Sequence, residues 1–464
     1  MKKKTSTGSL RKIPSVAAVL NWPELKKYLD NIEHKYIAIL VRMSISSIRK
    51  ELLSGKTFSS KALKQRITDD IDELLSPYFC YAINATGIIL HTGLGRAPFS
   101  KGIADVMHAV SKGFSRLQVD DKGRRADRYA KINRLLQVIT GAEAGFVVNN
   151  NAAATLLALN TLAKGREVIV SRGQLVEIGG AYRMPEIMEA SGAIMHDVGT
   201  TNRTHLEDYE KAINKKTAAL MRVHQSNFRI IGFTKQVPLN ELVELGKKYN
   251  IPTIDDLGSG AFIDFSKYGL PKEPTVQDSI KAGADVACFS GDKLIGGPQC
   301  GIIIGTAKYI EQMKNNPLTR AMRCDKLTNA SLEATLQLFL RKESTLLKEH
   351  VVFNTLLKKT TDIKQHATKC ADLLKRYFGT KMTISVKEDV SEIGGGSLST
   401  EVLPTYVVPI KPKTVSVQEL AKALRKCTIP IFGRITGNTY LLDFRTVLEN
   451  EETHIVEAFK TVLH

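Results

Sequence analysis

From residue 145 onward the chain alternates short β-branched runs with longer amphipathic stretches, and that alternation limits the class of fold. Seven runs read as strands: GFVV (145–148), EVIVSR (167–172), AIMHDVG (193–199), TAALMRVH (217–224), IPTIDDL (251–257), ADVACFS (284–290) and CGIII (300–304). The stretches between them, such as AAATLLALNTLAKG and LNELVELGKKYN, read as helices, and several end at Gly or Asn as helix C-termini do. Strands joined through helices give a mostly parallel sheet with both faces covered, so an α/β fold is expected. With 464 residues the chain exceeds the roughly 250–300 that one core holds, and further domains are expected.

The composition, 43% hydrophobic and 24% charged, is that of a globular protein and excludes wholesale disorder, collagen and coiled coil. The opening MKKK is followed by TSTGSLRKIPS, which supplies no apolar core for a signal peptide, and no run of about 18 apolar residues occurs to span a membrane. Cys80, Cys288, Cys300, Cys324, Cys370 and Cys427 are scattered without a CxxC or Cys/His cluster, so neither a disulfide framework nor a metal site is expected. The simplest compartment for such a chain is the reducing cytoplasm.

Charge is uneven along the sequence. The net charge is +19, and residues 1–68 contribute +11, with fifteen Lys/Arg against Glu24, Asp30, Glu33 and Glu51. Leu25, Leu29, Ile32, Ile37, Leu40 and Val41 recur at helical steps in the same segment, which reads as a small basic helical domain. A linker over 69–85, a core over 86–340 and a smaller C-terminal α/β domain over 341–464 complete the expected organisation; the last contains the apolar runs TYVVPI (405–410) and TYLLDF (439–444). A solvated helical bundle also carries lysines, but positive charge gathered on a separable module is the footprint of phosphate-backbone contacts. Its few aromatics (Trp22, Tyr28, Tyr36, Phe58) favour shape and phosphate recognition of folded RNA over base stacking.

Ligands of such sheets bind at the carboxyl ends of the strands. GFVV is followed by Asn149-Asn150-Asn151-Ala152, a polar turn opening a helix whose free amides suit a phosphate. IPTI is followed by Asp255 and Asp256, and ADVACF by Ser290-Gly291-Asp292-Lys293 with Gly296 and Gly297 beyond. A lysine amine, a strand-end carboxylate and a helix N-terminus are what pyridoxal 5'-phosphate needs for its aldehyde, its pyridine nitrogen and its phosphate. Each alone is more often a cap or a surface residue; the weight lies in their co-occurrence. GGGS (394–397) reads as a turn, since it lacks the lysine and helix entry of a phosphate-binding P-loop.

LRKIPSV (10–16), INATGIILHTGLGRAP (83–98), VVNNNAAATLLAL (147–159), SRGQLVEIGGAYRMPEIM (171–188), GTTNRTH (199–205), VHQSNFRIIGF (223–233), DLGSG (256–260), FSGDKLIGGPQCG (289–301) and PLTRAMRCDK (317–326) are, in that order, similar to motifs of the bacterial L-seryl-tRNA(Sec) selenium transferases. These are selenocysteine synthases of the fold-type I pyridoxal phosphate superfamily. The resemblance implies a PLP-dependent transferase in which Lys293 is the Schiff-base lysine, grouped as catalytic with Asp292. Asp256 would face the pyridine nitrogen, with Asp255 the alternative if the strand register slips by one. Ser290 and the amides around Asn150, Asn151 and Ala152 would hold the cofactor phosphate. Arg96, Arg320 and Arg323 match the positions that hold the anionic selenium donor, selenophosphate, with Arg320 and Arg323 expected on one helix face.

The implied reaction turns seryl-tRNA(Sec) into a dehydroalanyl intermediate by β-elimination and adds selenium to it, giving selenocysteinyl-tRNA(Sec). The implied assembly is a homo-oligomer of dimers in a ring, a decamer. Cys300 stands where small residues such as Ala are familiar and reads as core packing rather than as a catalytic thiol. His91 and His224 lie nearest the motifs and take no assigned role. One alternative is a PLP-dependent lyase of a small amino acid or amino-sugar phosphate, which would need neither the basic domain nor the PLTRAMRCDK arginines. Another is a noncatalytic RNA-binding protein on the same scaffold, against which the joint presence of Lys293, Asp256 and the glycine-rich loop speaks.

Overall fold

The computed structural model describes residues 13–463 apart from Thr57, residues 180–181 and residues 399–400. MKKK and the first three residues of LRKIPSV therefore lie outside the described residues. The chain divides into two compact units, Met1–Tyr81 and Ala82–His464.

All seven expected strands form, and they form one sheet in the second unit. They are β1 (Ala144–Val148), β2 (Glu167–Ser171), β3 (Ile194–Val198), β4 (Thr217–Val223), β5 (Thr253–Gly258), β6 (Val286–Ser290) and β7 (Gly301–Gly305), in the spatial order β1-β7-β6-β5-β4-β2-β3. Neighbours from β6 through β5, β4 and β2 to β3 are parallel, whereas β7 runs antiparallel to both β1 and β6. The reason is chain length. Residues 291–300 between β6 and β7 are too few for a crossover helix, which takes about a dozen residues or more, so the chain turns back as a hairpin and its loop stays at the sheet's end.

Phe146, Val147, Val148, Val286, Phe289 and Ile302–Ile304 are fully buried, which explains why these strands read as continuous apolar runs rather than alternating ones. Each such side chain contributes about 1.5–3 kcal/mol by its burial. The helix Asn151–Ala163 packs Ala154, Leu157 and Ala158 into the same core.

A second sheet joins Ile83–Ala85, in parallel, to Ile431–Thr436, followed by Thr439–Asp443 and Val402–Pro412, to which Met382–Ile384 and Lys387–Glu392 pair antiparallel. Both C-terminal apolar runs are strands of this sheet. The helix Thr360–Phe378 buries Ile363, Ala367, Cys370, Ala371, Leu374 and Phe378, an unbroken stripe at three- and four-residue spacing, in the core of this sheet.

The first unit is helical: Val16–Leu20, Lys26–Leu29, His34–Leu53 and Ser60–Leu75 enclose Val19, Leu25, Ile37, Val41, Ile45, Ile48, Leu63, Ile67 and Ile71. Its last helix starts at Ser59, whose hydroxyl accepts from Ala62 N at 3.1 Å. That helix also brings Asp69, Asp70, Asp72 and Glu73, so Met1–Tyr81 as a whole holds fifteen Lys/Arg against eight acids, a net +7. Lys64–Glu24 (2.7 Å), Arg66–Asp70 (2.9 Å) and Lys56–Glu51 (2.9 Å) are ion pairs within it. Five of the fifteen cations (Lys2, Lys3, Lys4, Arg11 and Lys12) lie before residue 13, so most of the surplus belongs to that terminal stretch.

Among the described residues no helix is long and apolar enough to cross a membrane, and no cluster of His, Cys, Asp and Glu could hold a metal ion.

Candidate active site

Lys293 stands in the β6–β7 hairpin, three residues beyond Ser290. The loop is tied to itself: Gly291 N donates to Cys300 O at 2.9 Å, Gly296 N to Lys293 O at 2.9 Å and Gly297 N to Gly291 O at 2.8 Å. A Cβ on Gly291 would lie 2.8 Å from Pro298 O and closer still to Cys300 Sγ, which is why the lysine is reached through glycine. The loop is also held from outside. His350 Nε2 donates to Ile295 O at 2.7 Å while its Nδ1 accepts from Phe353 N at 3.2 Å, an arrangement that takes a neutral ring. Burial lowers the His350 pKa to about 4, which keeps the ring neutral.

Lys293 is 5% exposed, and its amine has no hydrogen-bond or ion-pair partner among the described residues. Burial first, then the nearby Arg96 guanidinium, push its pKa below the usual lysine range. The neighbouring Asp292 is held by Arg96 Nη1. Arg96 itself adopts a left-handed φ of 60°, unusual for a residue with a Cβ, and its Nε is buried without a partner among the described residues.

Asp256 ends up on the other side of β5 from Asp255. Its Oδ1 accepts from Asn151 Nδ2 at 2.9 Å and its Oδ2 from Thr155 Oγ1 at 3.0 Å; these donors sit one turn apart on the helix Asn151–Ala163. Burial raises the Asp256 pKa, and the two hydrogen bonds oppose the rise. Asp255 receives a two-pronged contact from Arg222, Nε to Oδ1 and Nη2 to Oδ2, both 2.7 Å, and a bond from Ser279 Oγ at 2.6 Å. The alternation of side chains along a strand separates the two acids, and Asp255 is fully occupied.

Asn150 caps the same helix, its side chain accepting from Ala153 N at 2.8 Å. The first two helical amides, Asn151 and Ala152, are left without intrahelical acceptors. The Asn151 side chain is thus committed to Asp256, and only its backbone amide is available to an anion. Asn149 N donates to Met322 O at 2.9 Å, tying the segment that carries Arg320 and Arg323 to this turn.

Those two arginines do not share a helix face. Arg320 closes the short helix Leu318–Ala321, which ends before Arg323 because Asp325 caps a new helix, Lys326–Leu338, accepting from Leu327 N at 2.6 Å and Thr328 N at 3.0 Å. Both are exposed, and neither makes an ion pair among the described residues. Ser290 is buried at the end of β6.

His224 Nε2 faces Glu273 Oε1 at 3.2 Å, which also accepts from Ser259 Oγ at 2.6 Å; His224 N donates to Asp256 O at 2.8 Å. His91 Nδ1 is buried without a partner among the described residues. Cys300 is a core residue, and burial drives its thiol pKa up, so packing is its role. Glu273, His350 and Thr155 were not among the residues singled out by sequence. Only Thr155 carried a signal, its four-residue spacing from Asn151.

The model of the L-seryl-tRNA selenium transferase family matches residues 82–448. The chain belongs to that family. It is 46% identical over 463 residues to the L-seryl-tRNA(Sec) selenium transferase of Alkaliphilus metalliredigens (strain QYMF), covering 98% of each chain. It is 44% identical over 460 residues to that of Clostridium botulinum (strain Okra / Type B1), again covering 98% of each. Among solved structures, D-glucosaminate-6-phosphate ammonia-lyase superposes with a TM-score of 0.54 at 19% identity, over 84% of this chain and 97% of that one. This last likeness is one of fold alone, and the fold is that of the fold-type I enzymes.

The two faces of β5 predict different outcomes for two conservative changes. Asp255→Asn strands the half-buried Arg222 and should cost about 3–5 kcal/mol of stability. Asp256→Asn keeps partners for Asn151 and Thr155 and should stay within about 1 kcal/mol of the native protein. Denaturant unfolding of both variants decides it; equal destabilisation would refute the assignment.

Proposed function

We propose that this chain converts seryl-tRNA(Sec) to selenocysteinyl-tRNA(Sec), with pyridoxal phosphate held by Lys293 and selenophosphate as the selenium donor. The observation that carries the reading is a buried, unpartnered lysine amine beside a buried carboxylate and two unused helix amides, in a member of this family. The residues fit the cofactor. Lys293 answers its aldehyde, Asp256 its pyridine nitrogen, and the Asn151 and Ala152 amides with Ser290 its phosphate. When bound, the cofactor supplies an electron sink that acidifies the Cα–H of an amine-linked amino acid.

The chain's own residues do the rest. Asp256, oriented by Asn151 and Thr155, holds a proton at the pyridine nitrogen, and that positive partner favours its ionised form despite burial. The lowered pKa of Lys293 makes its neutral amine accessible, so it serves as the base at Cα and as the acid that returns the proton after selenium is added. Loss of the serine β-hydroxyl leaves a dehydroalanyl-tRNA. Arg96, Arg320 and Arg323 orient the selenophosphate; Arg96 reaches it by leaving Asp292, which then stands next to Lys293 in the chain as the second catalytic group.

The reading extends to organisation. The helical unit Met1–Tyr81 binds the tRNA, 86–340 is the cofactor-binding core and 341–464 the small domain; the stretch expected as a linker, 69–85, instead runs through the helix Ser60–Leu75 and the strand Ile83–Ala85. The enzyme works in the cytoplasm as a ring of dimers, a decamer.

Incubation with selenophosphate should yield selenocysteinyl-tRNA from seryl-tRNA(Sec) and none from seryl-tRNA(Ser); equal turnover of both would remove the tRNA specificity from the proposal. Arg320→Ala and Arg323→Ala should preserve release of the β-hydroxyl while slowing selenium transfer by at least about tenfold, as expected for loss of a charge-assisted contact. Loss of elimination instead would give these arginines another task. Neutralising Lys2, Lys3, Lys4, Arg11 and Lys12 together should weaken tRNA binding and flatten its salt dependence, read by filter binding at two salt concentrations. Unchanged affinity would reject the basic segment as the tRNA contact.

A further inference from the structure

The GGGS turn is more than a connection. The strand Lys387–Glu392 runs on beside residues 88–90, with Ile89 N donating to Glu392 O at 3.0 Å and Leu90 N to Ile393 O at 2.8 Å. This brings Gly394, Gly395 and Gly396 in with φ of 74°, 63° and 69°, all in the left-handed region. Side chains are excluded at the first two by contact: a Cβ would lie 2.5 Å from Ile88 Cγ2 at Gly394 and 2.9 Å from Leu90 Cβ at Gly395. At Gly396 the Cβ position is 3.8 Å from Lys293 Nζ and 3.6 Å from Ser226 Oγ, so the turn, the lysine amine and this hydroxyl border one space.

Ser226 is 3% exposed, and its hydroxyl has no hydrogen-bond partner among the described residues. The fully buried Ser397 hydroxyl has none either. Native structures rarely leave such groups idle, and one facing a reactive amine points to a ligand atom. The amides of Gly394–Gly396 donate no hydrogen bond among the described residues, and successive amides of this kind form a concavity for a negatively polarised oxygen.

The donors here are neutral. The guanidinium near Lys293, that of Arg96, pairs with Asp292 and is assigned above to the selenium donor. A free carboxylate is best met by a cation, whereas the carbonyl of an ester asks only for hydrogen-bond donors. We propose that Ser226, the Gly394–Gly396 amides and Ser397 form an acyl-oxygen subsite that binds the carbonyl oxygen of an esterified amino acid. The subsite thereby prefers an aminoacyl ester to the free amino acid. The proposal rests on Lys293 being the cofactor lysine and adds a basis for rejecting free serine.

The test uses the full-length, cofactor-loaded protein, titrated calorimetrically with L-alanine methyl ester and with L-alanine, neither of which carries a β-leaving group. The native protein should bind the ester at least about tenfold more tightly. Ser226→Ala should weaken ester binding about tenfold and leave alanine unchanged, and Ser397→Ala should act in the same direction. Cofactor content, measured as pyridoxal phosphate released by alkali, should match the native protein in both variants and shows that the site is intact. Unchanged ester affinity in both variants, or native protein that binds alanine as well as the ester, overturns the subsite. Native protein that retains no cofactor overturns the reading of Lys293 itself, and the subsite with it.

Discussion

Burying an ammonium and a carboxylate at the ends of two adjacent strands is expensive, and much of the local structure around them makes that burial tolerable. Asp256 lies on β5 in register with Cys288 of β6, and Lys293 follows β6 by three residues, so sheet pairing sets their relative position before any side chain is considered. The two groups then take different routes. Asp256 is given hydrogen bonds by Asn151 and Thr155; the Lys293 amine is given none, and its pKa falls instead. An amine held in that state is poised for exchange with a carbonyl carbon or for proton transfer.

The hairpin between β6 and β7 is the device that keeps the lysine in place. Because β7 turns back between β1 and β6, the loop is pinned at both ends by strand pairing, and His350 fixes its middle through Ile295. Gly301 shows how tight the joint is: a Cβ there would lie 2.1 Å from the carbonyl oxygen of Asn150, the cap of the helix that offers its amides. The lysine, the carboxylate and the helix end capped by Asn150 are therefore parts of one packed assembly.

The strands were legible because a sheet covered on both faces writes itself as β-branched runs, and the strand ends carrying Asn150, Asp256 and Lys293 followed from them. Which of Asp255 and Asp256 faces the helix was not legible, since adjacent residues of a strand differ only by register, and Arg222 and Ser279 had to be in place to claim Asp255. The helix expected to align Arg320 with Arg323 is interrupted by the cap at Asp325, a local signal that competes with the spacing rule. Glu273, His350, Ser226 and the Gly394–Gly396 turn come from distant parts of the sequence and meet the site only through the fold. The charge excess likewise looked like a property of 68 residues until Asp69, Asp70, Asp72 and Glu73 joined the same unit, which moved its weight toward the first twelve.

The central claim is that Lys293 carries the cofactor, and it is tested most directly by locating the bond. Borohydride reduction of the cofactor-loaded protein, followed by digestion and mass spectrometry, should find the pyridoxyl-phosphate mass on the peptide containing Lys293, and on that lysine within it. The same mass on a different lysine, or none on any peptide of a protein that had bound the cofactor, would contradict the account.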